Sequence, residues 1–185
     1  DGLVNSLNIP TVNLGMAIGL ENVANAIHLL GYEEDIVMRP SMLLGAINMS
    51  PMQINQMYLA LASQGYAEQA HAINTISSSK GETLWQFEAE NEQVISTNAA
   101  YLMDYALSKV TETGTAKSLS WRLKSFKVAG KTGTSNDLRD SWFVGYDNNH
   151  LVTTWLGKDD NKPTGLTGSS GALTLFSEFF KKQGV

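Results

Sequence analysis

The chain has 185 residues, 43% of them hydrophobic, enough apolar material for one sizeable core. Its net charge of -5 and pI of about 5.1 argue against general nucleic-acid binding, which needs a basic face. The absence of cysteine excludes a disulfide framework, thiolate catalysis and a Cys-ligated metal, and His28, His71 and His150 lie in no ligand spacing. No apolar run reaches the length that spans a bilayer. The chain opens on Asp1-Gly2-Leu3 without Met or a signal peptide, so a fragment of a longer protein is expected, with any membrane anchor elsewhere.

Residues 3–10 form a turn-prone polar cluster closed by Pro10, and Thr11 is placed to cap a short helix running to about Gly19. Val23, Ala26, Ile27 and Leu30 have helical spacing over 21–30, with Gly31 as the stop and Glu21 near the positive end of the dipole. Ser50-Pro51-Met52-Gln53 is the clearest helix start: a capping serine, proline at the first helical position, and a glutamine that completes a capping box. Ile54, Met57, Tyr58, Leu61 and Ala62 then make one apolar face, ended by Gly65. The four methionines between Met42 and Met57 are expected as gap-filling core residues.

Residues 71–78 and 82–88 read as a β-hairpin turning at Ser79-Lys80-Gly81, followed by a solvated acidic loop with Glu88, Glu90 and Glu92. A helix is predicted from Thr97 to about Val110. It breaks at Thr113-Gly114-Thr115, with a short second helix to Leu119. The period then changes from about 3.6 to 2. Strands over 126–132, 141–146 and 151–157, joined by turn chemistry, predict an antiparallel meander. Leu173, Leu175, Phe176, Phe179 and Phe180 suit a final helix over 171–182 packed across that sheet.

The chemistry centres on Val128-Ala129-Gly130-Lys131-Thr132-Gly133-Thr134, where a lysine and two hydroxyls stand among glycines that let a substrate backbone come close. Gly130-Lys131-Thr132 is the ending of a phosphate-binding loop. That pattern needs a glycine where Ser125 stands, and a helix where a polar turn and a strand follow. The other reading is the Lys-Thr-Gly triad of serine acyl-transfer enzymes that react with penicillin, whose signature also includes Ser-x-Asn and a nucleophilic Ser-x-x-Lys. Ser6-Leu7-Asn8 supplies a Ser-x-Asn.

The run 130–145, with Asp140-Ser141-Trp142-Phe143-Val144-Gly145, resembles the class A penicillin-binding proteins, the bifunctional peptidoglycan synthases. So do Ser6-Leu7-Asn8 with Ile9-Pro10-Thr11 after it, and Pro40-Ser41-Met42-Leu43-Leu44-Gly45. The order of motifs matches, the resemblance covers almost the whole chain, and its flavour is the 1b type of Gram-negative bacteria. The resemblance implies an α/β fold, an antiparallel sheet flanked by helices as in penicillin-binding transpeptidases and serine β-lactamases. This chain would be the C-terminal portion of one such domain.

It further implies that Ser6 relays a proton near the nucleophile and that Asn8 bonds the acyl-side amide of a D-Ala-D-Ala peptide. Lys131 would supply positive potential and bond Ser6. Thr132 and Thr134 would hold the substrate carboxylate beside Gly133, and the Thr134 N–H would complete the oxyanion hole. The substrate would lie antiparallel along the lysine strand. The implied partners are peptidoglycan stem peptides, β-lactams and the missing N-terminal half of the same domain, with no metal or organic cofactor and membrane attachment only through an absent anchor. The implied location is the periplasmic face of the inner membrane.

The family places its nucleophilic Ser-x-x-Lys before Ser-x-Asn, so that serine is expected outside this chain. Ser77-Ser78-Ser79-Lys80 fits the pattern but breaks the order and sits on a hairpin, where Lys cannot face Ser one helical turn on. The chain alone is therefore expected to be inactive, and stable only beside the missing half. A β-lactamase, a non-enzymatic β-lactam sensor and, remotely, an NTPase stand as alternatives.

Overall fold

Pro10 lies inside the first helix, not before it. The computed structural model describes residues 1–89 and 91–182. Its helix α1 spans Asn8–Ile18, four residues longer at the start than a Thr11 cap would give. The first N–H groups of a helix have no intrahelical partner, so a proline in the first turn costs no hydrogen bond. Thr11 Oγ1 instead donates to Leu7 O at 2.9 Å. Helix α1 is apolar on every side, and Ile9, Leu14, Met16 and Ile18 are exposed. Helix α2, Leu20–Leu29, runs within one residue of the expected span.

A short turn of 3-10 helix, Pro40–Leu44, buries Met42, while Met52 is exposed; the methionine cluster is thus core only in part. Helix α3, Pro51–Ala62, has the predicted capping box: Ser50 Oγ accepts from Gln53 N at 3.2 Å, and Gln53 Oε1 accepts from Ser50 N at 2.7 Å. Strand β1, Tyr66–Ala67, is followed by the hairpin of β2, Thr75–Ser77, and β3, Thr83–Gln86, shorter than its predicted arms. Strand β4, Glu92–Gln93, pairs with β1. Of the acidic residues, Glu88 and Glu92 are exposed, and Glu90 lies outside the described residues.

Helix α4, Thr97–Glu112, is capped by Ser96, whose Oγ accepts from Ala99 N at 3.3 Å. The second helix, α5, begins at Leu119 and runs to Arg122, whereas the sequence put its end at Leu119. Residues 114–118 instead form turns that carry the chain around to the site, with Ala116 N donating to Val110 O.

Strands β5 (Ala129–Thr134), β6 (Ser141–Tyr146) and β7 (Leu151–Leu156) form the predicted meander in the order β5-β6-β7, although β5 starts three residues later and ends two later than the expected 126–132; Lys131 lies opposite Val144 and Thr134 opposite Ser141. Helix α6, Ala172–Lys182, packs on β6 and β7. Side chains alternate across a strand, and here the alternation sorts the two cores. Phe143, with Thr154 of β7, faces α6; Tyr146 and Ala129 face α3 and α4. On the α6 side, Phe143 meets Phe176 edge to face at 4.7 Å between centroids, and Phe176 stacks on Phe180 at 4.4 Å. All three rings are fully buried, each contributing roughly 1.5–3 kcal/mol of burial. Leu175 and Phe179, predicted on this face, are exposed instead. The buried Ser141 hydroxyl donates to Thr167 O at 2.7 Å and accepts from Ala172 N at 2.8 Å, fastening the start of α6 to the sheet.

Candidate active site

The site forms along the open edge of β5. This strand pairs with β6 on one side only among the described strands. Ser135 N donates to Asp140 O at 3.1 Å, so the next register position points its backbone groups toward β6. Successive residues of a strand aim their N–H and C=O to opposite sides. The N–H groups of Thr134 and Thr132 therefore face the open edge, available to an added strand or a developing anion.

Lys131 and Ser6 meet at this edge. Lys131 Nζ donates to Ser6 Oγ, and also to Thr132 O at 2.9 Å. Because Thr132 O projects from the open edge, the second bond turns the ammonium around that edge instead of leaving it over the sheet. Burial lowers the Lys131 pKa from the ordinary lysine value, since the charged form loses hydration. Ser6 has φ 52, a left-handed conformation that few non-glycine residues adopt. The turn is held by Ser6 N donating to Leu3 O at 3.3 Å and Leu7 N donating to Gly2 O at 2.8 Å. Asn8 is the first residue of α1 and is exposed.

Thr132 and Thr134 point to the opposite side of β5 from Lys131, and each hydroxyl has a partner. Thr132 Oγ1 lies 2.7 Å from Thr115 Oγ1, and Thr134 Oγ1 accepts from Gly168 N at 2.9 Å. Gly168 must be glycine: a Cβ there would lie 2.6 Å from Gly133 O and 2.7 Å from Trp142 O. Thr115 is held on three sides, with its N donating to Val4 O at 3.2 Å and its O accepting from Ser169 Oγ at 2.7 Å. The turn before it is equally tight, since a Cβ on Gly114 would lie 2.3 Å from Val4 O. Residues 4–6 thus bridge from Thr115 to Lys131.

Thr115 and Gly168 were missed as site residues. Thr113-Gly114-Thr115 was legible only as a helix break, and Gly168 carried no sequence signal; what they touch is set by contacts 17 and 34 residues away along the chain. Ser77 ends β2 on the exposed hairpin, and Lys80 stands in its turn rather than on a helix. Gly130-Lys131-Thr132 lies within β5, and the chain runs on through a turn that includes Asn136–Leu138 into β6, so the motif does not itself open into a helix as a phosphate loop requires. A cavity of about 1030 Å³ opens at the other end of β5, lined by Tyr101, Asp104, Phe126 and Tyr146, and none of these site residues lines it.

Residues 1–174 match the penicillin binding protein transpeptidase domain. The chain belongs to this transpeptidase family. Penicillin-binding protein 1B of Vibrio cholerae is 41% identical over 180 residues, covering 97% of this chain and 23% of that protein. Penicillin-binding protein 1B of Escherichia coli is 37% identical over 184 residues, covering 99% of this chain and 22% of that protein. Penicillin-binding protein 1A of Neisseria flavescens is 32% identical, so the 1b flavour read from the motifs agrees with the whole-chain comparison. The chain spans about a quarter of the length of the curated relatives it matches.

Among solved structures, penicillin-binding protein 1A from Haemophilus influenzae superposes with a TM-score of 0.91 over 98% of this chain and 33% of that one, at 22% identity. The D,D-transpeptidase domain of a peptidoglycan glycosyltransferase from Eggerthella lenta gives 0.75, at 17% identity over 53% of that chain. At these identities the likeness speaks to fold, and it agrees with the antiparallel sheet and flanking helices of the penicillin-binding transpeptidases. No helix among the described residues of this transpeptidase chain is long and apolar enough to cross a membrane.

Proposed function

We propose that this chain is the C-terminal portion of a peptidoglycan D,D-transpeptidase domain, completed by a segment that carries the nucleophilic Ser-x-x-Lys. The observation that carries the reading is the hydrogen bond from Lys131 Nζ to Ser6 Oγ at the open edge of β5, beside the outward-facing N–H of Thr134. It brings a cation, a hydroxyl and a free backbone donor to one line of the sheet, as acyl transfer from a carboxylate-ended peptide needs.

In this reading the donor peptide adds antiparallel to β5. The nucleophilic serine of the preceding segment gives its proton to the lysine of its own Ser-x-x-Lys and attacks the carbonyl of the penultimate D-Ala, and the oxyanion forms against the Thr134 N–H. The C–N bond breaks and the terminal D-Ala leaves as an amine. Lys131 occupies one lone pair of Ser6, and Ser6 relays the proton: its O–H proton passes to that amine while its other lone pair takes the replacement from the lysine of the Ser-x-x-Lys. Asn8 bonds the acyl-side amide, while Thr132 and Thr134 hold the terminal carboxylate beside Gly133. An amine from a neighbouring strand then attacks the acyl-enzyme, forming the cross-link and releasing the serine. A β-lactam would acylate the same serine.

The parent would be a bifunctional synthase anchored at the inner membrane and working at its periplasmic face. Its partners would be peptidoglycan stem peptides and the N-terminal half of this same domain. The test uses the full-length protein with labelled penicillin, and with D-Ala-D-Ala peptide plus an acceptor amine. Stoichiometric stable labelling and amide formation are expected. Rapid hydrolysis of the β-lactam would indicate a β-lactamase instead, and labelling without cross-linking a sensor.

A further inference from the structure

The hydroxyls of Thr132 and Thr134 each already have a partner within the protein. Gly168 N can only donate, so its 2.9 Å bond uses a lone pair of Thr134 Oγ1 and leaves the Thr134 O–H free. At Thr132 the partner is another hydroxyl, Thr115 Oγ1 at 2.7 Å, and one proton lies between the two oxygens. We propose that Thr115 is a positioning residue that donates to Thr132, so that the Thr132 O–H is aimed at the carboxylate of the substrate. This rests on the reading of Thr132 and Thr134 as the carboxylate grip.

The direction follows from the ligand's charge. A carboxylate accepts and cannot donate, and a hydrogen bond to an anion is roughly twice as strong as a neutral one. With a carboxylate in place, the Thr132 proton goes to it, and the proton between the two threonines must come from Thr115. The relay Thr115 O–H to Thr132 O–H to carboxylate also polarises each bond in the same sense. Thr115 can hold this post because its backbone is fixed by Val4 on one side and Ser169 on the other. The two threonines then match: each has a lone pair filled by the protein, one by an N–H, the other by an O–H.

The experiment measures acylation of the full-length protein by a penicillin and by its methyl ester, which lacks the charge. Thr115→Val keeps the shape and removes the donor. It should lower acylation by the free acid about tenfold and change acylation by the ester less than about twofold. Thr115→Ser restores the hydroxyl and should return the free-acid rate to within about twofold of the original. Where the valine variant fails to fold, Thr115→Ala gives the same comparison. Equal losses for acid and ester would mark a merely structural role and overturn the inference, as would no loss at all. An unsubstituted protein that takes no label would instead overturn the functional reading, and this inference with it.

Discussion

Lys131 Nζ donates a hydrogen bond to Ser6 Oγ across 125 residues of chain, and this contact joins the start of α1 to the open edge of the sheet. Removing the ammonium removes both the positive potential at that edge and the partner of the Ser6 hydroxyl. Lys131→Ala in the full-length protein should slow acylation by labelled penicillin by about 100-fold or more, the scale seen when a preorganised charge-stabilising donor is deleted. Ser77→Ala, on the exposed hairpin, should leave labelling within about twofold, since a surface change of this kind rarely matters. Loss of labelling in Ser77→Ala would sink the motif assignment.

Desolvation lowers the Lys131 pKa, and this gives a pH signature. The charge that serves the site disappears as pH rises through the lowered folded pKa, below the ordinary lysine range of about 10.4. Acylation should therefore fall on the alkaline side earlier than an ordinary lysine would allow. Lys131→Arg should move that limb upward, because guanidinium keeps its proton. Between the folded and unfolded pKa values the unfolded chain holds more protons, so Lys131's own contribution to stability rises with pH across that window. A rate profile with no alkaline limb below the lysine range would contradict this assignment.

Gly114 packs against the backbone of Val4, two residues before Ser6. Gly114→Ala should push that segment away from Thr115 and weaken the bond from Thr115 N to Val4 O. The expected cost is about 1–3 kcal/mol in denaturant unfolding, together with slower acylation. Unchanged stability and rate would mean the loop relaxes without moving Ser6.

The ring stack under the sheet predicts a larger penalty. Phe176 is fully buried between Phe143 and Phe180, and Phe176→Ala should destabilise by about 3–5 kcal/mol in urea melts. Leu175→Ala, one residue away and exposed, should change stability by less than about 0.5 kcal/mol.

Helix α1 carries Ile9 76% exposed and Leu14 63% exposed on a helix with no polar face. An all-round apolar helix belongs in a core. Residues 1–185 produced alone should bind a hydrophobic dye and melt without a sharp transition, and co-production with the N-terminal part of the domain should abolish the dye signal. A sharp, dye-free melt of the isolated chain would count against a missing packing partner.

Much of the scaffold was legible because its causes are local. The capping box at Ser50 and Gln53, the period of two in β6 and β7, and the apolar spacing of α6 each depend on residues within a few positions of one another. So does the Gly130-Lys131-Thr132 motif with its flanks, which carried the family. Several local readings failed where packing or a neighbouring turn overrode a propensity, the burial of Leu175 and Phe179 among them. Helix α1 extends through Pro10, α5 starts where its end was expected, and Met52 lies in solvent.

By itself, then, the sequence determined the family, the meander and the lysine strand, since periodicity and motif spacing are properties of neighbouring residues. Only the tertiary structure decided that Ser6 reaches Lys131, that Thr115 bonds Thr132, and that Gly168 closes over Gly133. Those contacts join residues 17 to 125 positions apart, or depend on a backbone approach that no side-chain pattern records. Strand alternation then split the motif itself, putting the lysine on one side of β5 and the two hydroxyls on the other, with the open edge between them.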